Sequence, residues 1–136
     1  MQEASFTERK RRAAKIVAAL KNLFPNARIV LNYSSNWELL VAVILSAQCT
    51  DKKVNEVTAK LFKKYRALNA YLKANPKEFK KDIRPTGFFR AKTKNILAAA
   101  NMVEEKFGGK IPKTMAEMLK IPGVARKTAN VVLGNA

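Results

Sequence analysis

The sequence predicts an all-α fold, and three of its features support that prediction. Apolar residues recur at intervals of three and four along most of the chain, which is the spacing of one face of an α-helix. Prolines, glycines and capping residues stand between these segments, where helices begin and end. The only β-branched run, over residues 27–31, is too short to indicate a sheet.

The predicted helices can be placed from their capping residues. The first follows Thr7 and ends at Phe24, and a loop over 25–35 follows it. The second, over 37–48, is capped by Ser35 or Asn36 and is apolar almost all round, so it should be buried. The others run from Thr50 or Asp51 to about Tyr65, over about 68–74 and ending before Pro76, over about 89–107 with a stop at Gly108, from Lys113 to about Lys120, and from about Ala125 to the chain end.

The charge balance indicates a polyanionic partner. The chain has 27 basic and 10 acidic residues, a formal net charge of +17. Self-repulsion on this scale destabilises a compact chain unless a polyanion compensates it, so nucleic acid is the expected partner. An anionic membrane surface and a merely solubilising basic surface are the alternatives. Twelve of the basic residues lie between positions 60 and 94, where there are only two acids.

The residue types that are scarce exclude several chemistries. The chain has no histidine, which excludes Ser–His–Asp and Cys–His catalysis and imidazole–zinc sites. Its one cysteine, Cys49, excludes a disulfide within the chain and any metal site built from several of its own thiolates. No bound metal or cofactor is therefore expected in this chain.

No membrane segment is predicted. The longest apolar run, Leu39 to Ala47, is far shorter than the ~20 residues of a spanning helix. The basic N-terminal helix has the charge of a transit peptide, but Glu3, Glu8 and the scarcity of serine argue against organelle targeting. We expect a reducing, cytoplasmic setting, with the protein associated with the nucleoid.

Two loops enter predicted helices in a similar way. One reads TGFFR over 86–90 and the other PGVAR over 122–126, and aligning their glycines also aligns their arginines. At such a helix start the unpaired N–H groups and the positive dipole end attract an anion, and glycine allows close approach of a phosphate. The alternative is that both are plain corners between helices. The candidate DNA-binding residues in these loops are Gly87, Phe88, Arg90, Gly123, Val124, Ala125 and Arg126.

Lys127 stands in the first turn after the second loop, where the first loop has Ala91. A lysine there is unfavourably placed, because the helix dipole and Arg126 have the same sign as its ammonium. With partial desolvation, this favours the neutral amine, which can attack a carbonyl-like carbon and form a Schiff base. The residues alone leave open whether Lys127 is this nucleophile or a phosphate-binding lysine.

The sequence resembles the endonuclease III family of DNA glycosylases over roughly residues 15–136. The segment IPGVARKTANVVL over 121–133 is similar to that family's helix–hairpin–helix motif, and LSAQCTD over 45–51 is similar to its second signature. The loop over 86–92 resembles its secondary hairpin. The three segments occur in the family's order, and the lysine together with Ser-Ala-Gln is the more specific part of the match.

The resemblance implies a bifunctional enzyme of base excision repair with a helix–hairpin–helix helical-barrel fold. It would flip an oxidised pyrimidine out of duplex DNA, cleave its glycosidic bond and nick the abasic strand by β-elimination. Lys127 matches the family's Schiff-base lysine, Gln48 the residue that fills the space of the extruded base, and Phe88 an apolar wedge. Without the resemblance, Gln48 is a polar residue at a helix end and Phe88 a core aromatic.

The resemblance also has departures and defines expected boundaries. Ala125 stands where many members have a second glycine, and the family's catalytic aspartate and four cluster cysteines would lie beyond Ala136. We therefore expect a fragment that binds DNA as a monomer better than it turns over, with the family's [4Fe-4S] cluster on a segment absent here. Residues 1–26 are predicted to form a basic amphipathic helix and residues 27–136 the helical-barrel domain, with the motif at about 117–135. The rivals are a non-catalytic helix–hairpin–helix DNA-binding module and a basic RNA-binding domain.

Overall fold

The computed structural model describes residues 6–23 and 29–136, and within the first helix the side chains of residues 8–16. The described residues form α-helices and no β-strand, so the all-α prediction is confirmed. The helices are α1 (Phe6–Leu23), α2 (Asn36–Leu45), α3 (Asp51–Lys64), α4 (Leu68–Leu72), α5 (Pro76–Ile83), α6 (Phe89–Phe107), α7 (Met115–Met118) and α8 (Arg126–Asn135), with a 3₁₀ turn at Arg84–Thr86.

Helix α2 lies at the centre of the molecule and contacts α3, α6 and α8. Its residues from Trp37 to Leu45 are buried, which confirms the prediction made from its apolar sequence. Ser35 caps it, since its side chain accepts a hydrogen bond from the Glu38 amide at 3.1 Å. The helix ends at Leu45 rather than at 48, because the chain turns over residues 46–49.

Most other predicted boundaries lie within two residues of the observed ones, but α1 already includes Phe6, so Thr7 lies inside the helix and does not cap it. Thr50, not Asp51, caps α3, and its hydroxyl accepts from the Lys53 amide at 3.2 Å. Helix α6 covers the predicted residues 89–107 and ends at Gly108, whose φ of 62° is the left-handed conformation of a helix stop. Phe24 and Pro25, and with them the predicted boundary after residue 26, lie outside the described residues.

Helix α5 was absent from the sequence prediction. In the sequence prediction Pro76 follows the end of the preceding helix, although proline is also favoured at the first position of a helix. The Asn75 side chain caps α5 by accepting from the amide of Lys77 at 2.9 Å. Lys64 of α3 then binds α5 through Glu78 and Asp82, at 2.6 and 2.8 Å from its Nζ.

No helix in the part of the chain that the structure describes is both long and apolar enough to cross a membrane.

Candidate nucleic-acid interface

The turn after α2 presents Gln48 to solvent. The Ser46 hydroxyl donates to the Val43 carbonyl at 2.6 Å, and the Cys49 amide donates to the Ser46 carbonyl at 3.2 Å. Gln48 itself has a φ of 54°, a left-handed conformation that costs a non-glycine residue about 1–2 kcal/mol. Its side chain is exposed, so nothing in the fold repays that strain through burial.

The first hairpin presents Phe88 in a similar way. Gly87 and Phe88 have φ values of 75° and 46°, and Phe88 takes the N-cap position of α6 without a side-chain hydrogen bond. Its ring is 69% exposed, so Phe88 is not the core aromatic that its residue type alone would suggest. Arg90 is exposed and its guanidinium lies 5.6 Å from the centre of the Phe89 ring.

The second hairpin packs more tightly than the first. Gly123 has a φ of 81°, and a Cβ on it would lie 2.8 Å from the Asn95 Cβ of α6. Val124, the counterpart of Phe88, is 7% exposed and belongs to the core. Ala125 is the extended N-cap of α8, so this helix begins one residue later than α6 relative to its glycine. The two loops are therefore related but not equivalent.

The starts of α6 and α8 also differ from those of most other helices. Side chains cap α2, α3, α5 and α7, whereas neither Phe88 nor Ala125 supplies a side-chain cap. The first-turn N–H groups of α6 and α8 are thus left without a side-chain acceptor, which suits an external anion. Arg126 and Lys127 are both exposed at the start of α8.

Lys127 and Gln48 share the wall of a cavity of about 520 Å³. Asp51 lines the same cavity, together with Thr128 and apolar side chains. The partial desolvation expected for Lys127 is not found, because its side chain is exposed. Gln48 and Phe88 in turn line a second cleft, of about 290 Å³, with Lys92 and Gly123.

Lys92 is the functional candidate that sequence reasoning missed. Only 5% of it is exposed, and its Nζ donates to the carbonyls of Leu45 at 2.9 Å and of Thr86 at 2.8 Å. Burial lowers the pKa of this lysine from its usual value of 10.5. A signal was present, since Lys92 falls four residues before Ile96 on the apolar face of α6.

The described residues do not fit an iron–sulfur cluster. A cluster needs several thiolates, whereas the chain has one cysteine, and no group of three potential metal-binding side chains occurs among the described residues.

Comparison with known proteins defines the class. Residues 41–133 match the family described as HhH-GPD superfamily base excision DNA repair protein, and the chain belongs to that superfamily. Endonuclease III from Synechocystis sp. is 50% identical over 128 residues, covering 94% of this chain and 58% of that protein. Endonuclease III from Escherichia coli K12 is 39% identical over 127 residues, covering 93% and 60%. The chain therefore spans about 60% of the length of these relatives.

The solved structures that match this chain include endonuclease III, the same protein that the sequence comparison found. A non-covalent endonuclease III–DNA complex superposes with a TM-score of 0.85 at 42% identity, covering 93% of this chain and 59% of that one. A trapped endonuclease III–DNA covalent intermediate gives the same score and identity. A thermostable thymine-DNA glycosylase, at 24% identity and a TM-score of 0.79, shares the fold. The predicted helix–hairpin–helix glycosylase fold is thus confirmed.

Proposed function

We propose that this chain is the DNA-binding and nucleophile-bearing part of a base excision repair enzyme. The enzyme removes oxidised pyrimidines from double-stranded DNA and cleaves the resulting abasic site. The observation that carries the proposal is the backbone strain at two exposed residues. Among the described residues, Gln48 and Phe88 are the non-glycine positions with positive φ. Strain of this kind persists where function needs a side chain in a particular place.

The two hairpins would hold the DNA backbone. The N–H groups at the starts of α6 and α8 lack side-chain caps, and Arg90 and Arg126 are exposed beside them. Phosphate contacts of this kind fix the position of a duplex without reading its sequence. One chain supplies both hairpins, the Gln48 turn and Lys127, so we propose that it binds as a monomer.

Gln48 and Phe88 would replace the extruded base. An exposed amide can donate to and accept from the base that loses its partner, and an exposed aromatic ring can wedge between stacked bases. The two residues line one cleft, which supports their acting at neighbouring positions of the same duplex. The high exposure of Phe88 leaves its ring available for this contact.

Lys127 would act as the nucleophile. Its neutral amine attacks C1′ of the damaged nucleoside and displaces the base, or adds to the aldehyde of an existing abasic site with loss of water. On the first route the base leaves with a proton from the amine, and the C1′–O4′ bond of the sugar then opens with protonation of O4′. Either route thus gives an iminium ion between Nζ and C1′. Removal of a C2′ proton then expels the 3′ phosphate, which is the β-elimination that nicks the strand. The cavity shared by Lys127 and Gln48 supports this assignment.

Reductive trapping tests the proposal. Borohydride should reduce the iminium ion to a stable amine and link the chain covalently to an abasic duplex. Lys127→Ala should abolish the adduct while DNA binding stays within about threefold, because one surface cation contributes only a small part of the affinity. Lys110→Ala is the matched control, since Lys110 is exposed beyond the opposite end of α6 and should trap normally.

A second candidate function is a non-catalytic DNA-binding module. The exposure of Lys127 favours it, because an exposed lysine at a helix start also serves as a phosphate ligand. A folded wild-type chain that binds abasic DNA without forming an adduct would establish this alternative. Tighter binding to duplex RNA than to abasic DNA at equal salt would instead indicate the RNA-binding rival.

A further inference from the structure

Lys92 lies between the two strained turns. Its Nζ donates to the carbonyl of Leu45, three residues before Gln48, and to the carbonyl of Thr86, two residues before Phe88. Both strained residues and Lys92 line the same cleft. One buried side chain therefore links the segments that carry the two candidate inserting residues.

The carbonyl of Leu45 depends on this lysine because of how α2 ends. If the helix continued, the Cys49 amide would donate to Leu45, but it donates to Ser46 instead. Lys92 takes the place of that backbone donor and allows the chain to turn early. The early turn is what brings Gln48 out of the helix and into its left-handed conformation.

The carbonyl of Thr86 is held in a comparable way. Thr86 is the last residue of the 3₁₀ turn over Arg84–Thr86. In that turn the Arg84 carbonyl accepts a hydrogen bond from the Gly87 amide at 3.1 Å. The Thr86 side chain donates to the Ile83 carbonyl at 2.7 Å, so the residue before the hairpin is fixed at two points. A cation at the C-terminal ends of two helical segments is also favoured by their dipoles.

We propose that Lys92 is a positioning residue that sets Gln48 and Phe88 at a fixed separation for insertion into lesion-containing DNA. The proposal rests on the function proposed above. The ammonium does not touch DNA; it joins two backbone carbonyls whose turns carry the inserting side chains. Without the ammonium, each turn can relax toward an unstrained conformation. The side chains of Gln48 and Phe88 then no longer keep a fixed separation.

The test compares Lys92→Met with Lys94→Met. Both changes remove one positive charge from α6, but Lys94 is exposed and Lys92 is buried. The measured quantity is the ratio of affinities for a duplex with a tetrahydrofuran abasic analogue and for the matched intact duplex. We expect Lys92→Met to lower this ratio about tenfold, the size of effect that losing one base-stacking contact has. The Lys94→Met ratio should equal that of wild type.

The ratio separates positioning from general destabilisation. A smaller folded fraction lowers both affinities equally and leaves the ratio unchanged, so an unchanged ratio for Lys92→Met overturns the proposal. If that variant does not fold, Lys92→Gln takes its place, since the shorter amide cannot bridge both carbonyls and should also lower the ratio. A wild-type ratio near one would instead refute the proposed repair function and this inference with it.

Discussion

Gly123→Ala should destabilise the chain more than any other alanine substitution of a described glycine. Two effects combine at this position. The φ of 81° costs an L-amino acid about 1–2 kcal/mol. The new Cβ would also lie 2.8 Å from the Asn95 Cβ, which is fixed to the backbone of α6 and cannot rotate away. Forced overpacking of this kind costs about 1–3 kcal/mol, so the total is about 2–5 kcal/mol.

Gly108→Ala is the control for the backbone effect. Gly108 also has a positive φ, 62°, but a Cβ there meets no atom within 4 Å. The free energy of unfolding of Gly108→Ala should therefore fall only by the backbone contribution of about 1–2 kcal/mol. Urea unfolding followed by circular dichroism gives both free energies of unfolding, and the excess loss in Gly123→Ala measures the clash with α6.

A double-mutant cycle assigns that excess to Asn95. Asn95→Gly alone should cost only roughly 0.3 kcal/mol through helix propensity, because asparagine is itself a poor helix former. Combined with Gly123→Ala, it removes the atoms that clash, so the double variant should be more stable than the sum of the two losses by about 1–3 kcal/mol. Additivity within about 0.5 kcal/mol would refute the reasoning, because it would show that the hairpin moves away from α6 without cost.

Three further predictions follow from the site. Phe88→Gly should raise the free energy of unfolding by about 1 kcal/mol, because it relieves a left-handed φ at an exposed residue. The same change should weaken binding to an abasic duplex. Equal free energies of unfolding in urea for the variant and wild type would show that Phe88 is not strained. Lys92→Met should flatten the alkaline pH dependence of stability. Burial lowers the folded pKa of Lys92 below its unfolded value of 10.5, so between those two pKa values the unfolded chain binds more protons and wild-type stability rises with pH; parallel curves for the variant and wild type would contradict this. Arg126→Ala should reduce the slope of log affinity against log salt by about 0.9, whereas Lys64→Ala, whose ammonium contacts Glu78 and Asp82, should leave it unchanged.

Local signals in the sequence account for most of the helices. The boundaries of α6 could be predicted because Gly108 is a left-handed stop and the apolar spacing is regular. The start of α2 follows from Ser35, whose hydroxyl is a strong N-cap acceptor. Helix α5 could not be predicted from Pro76 alone, because proline occurs both after the end of one helix and at the first position of the next. Each of these helix boundaries depends on residues that are close to it in the sequence.

The site required information that local patterns do not contain. Gln48 and Phe88 could be selected from the resemblance to a family, but their shared strain and shared cleft depend on where α2 and α6 meet. The proposed role of Lys92 depends on a hydrogen bond across 47 residues of chain. Burial of a lysine on the apolar face of a helix was visible in the sequence, whereas the identity of its two acceptors was not.

Helix α6 brings together the three loops that we propose to contact one duplex. Lys92 on this helix holds the turn before Gln48 and the hairpin before Phe88, and Asn95, one turn later, contacts Gly123. The Gln48 turn, the Phe88 hairpin and the second hairpin are thus all positioned by neighbouring residues of one rigid element. A change in α6 at these positions should disturb the proposed base insertion and the proposed phosphate binding together. A change in any single loop should disturb only its own contact with DNA, because the other two keep their attachment to α6.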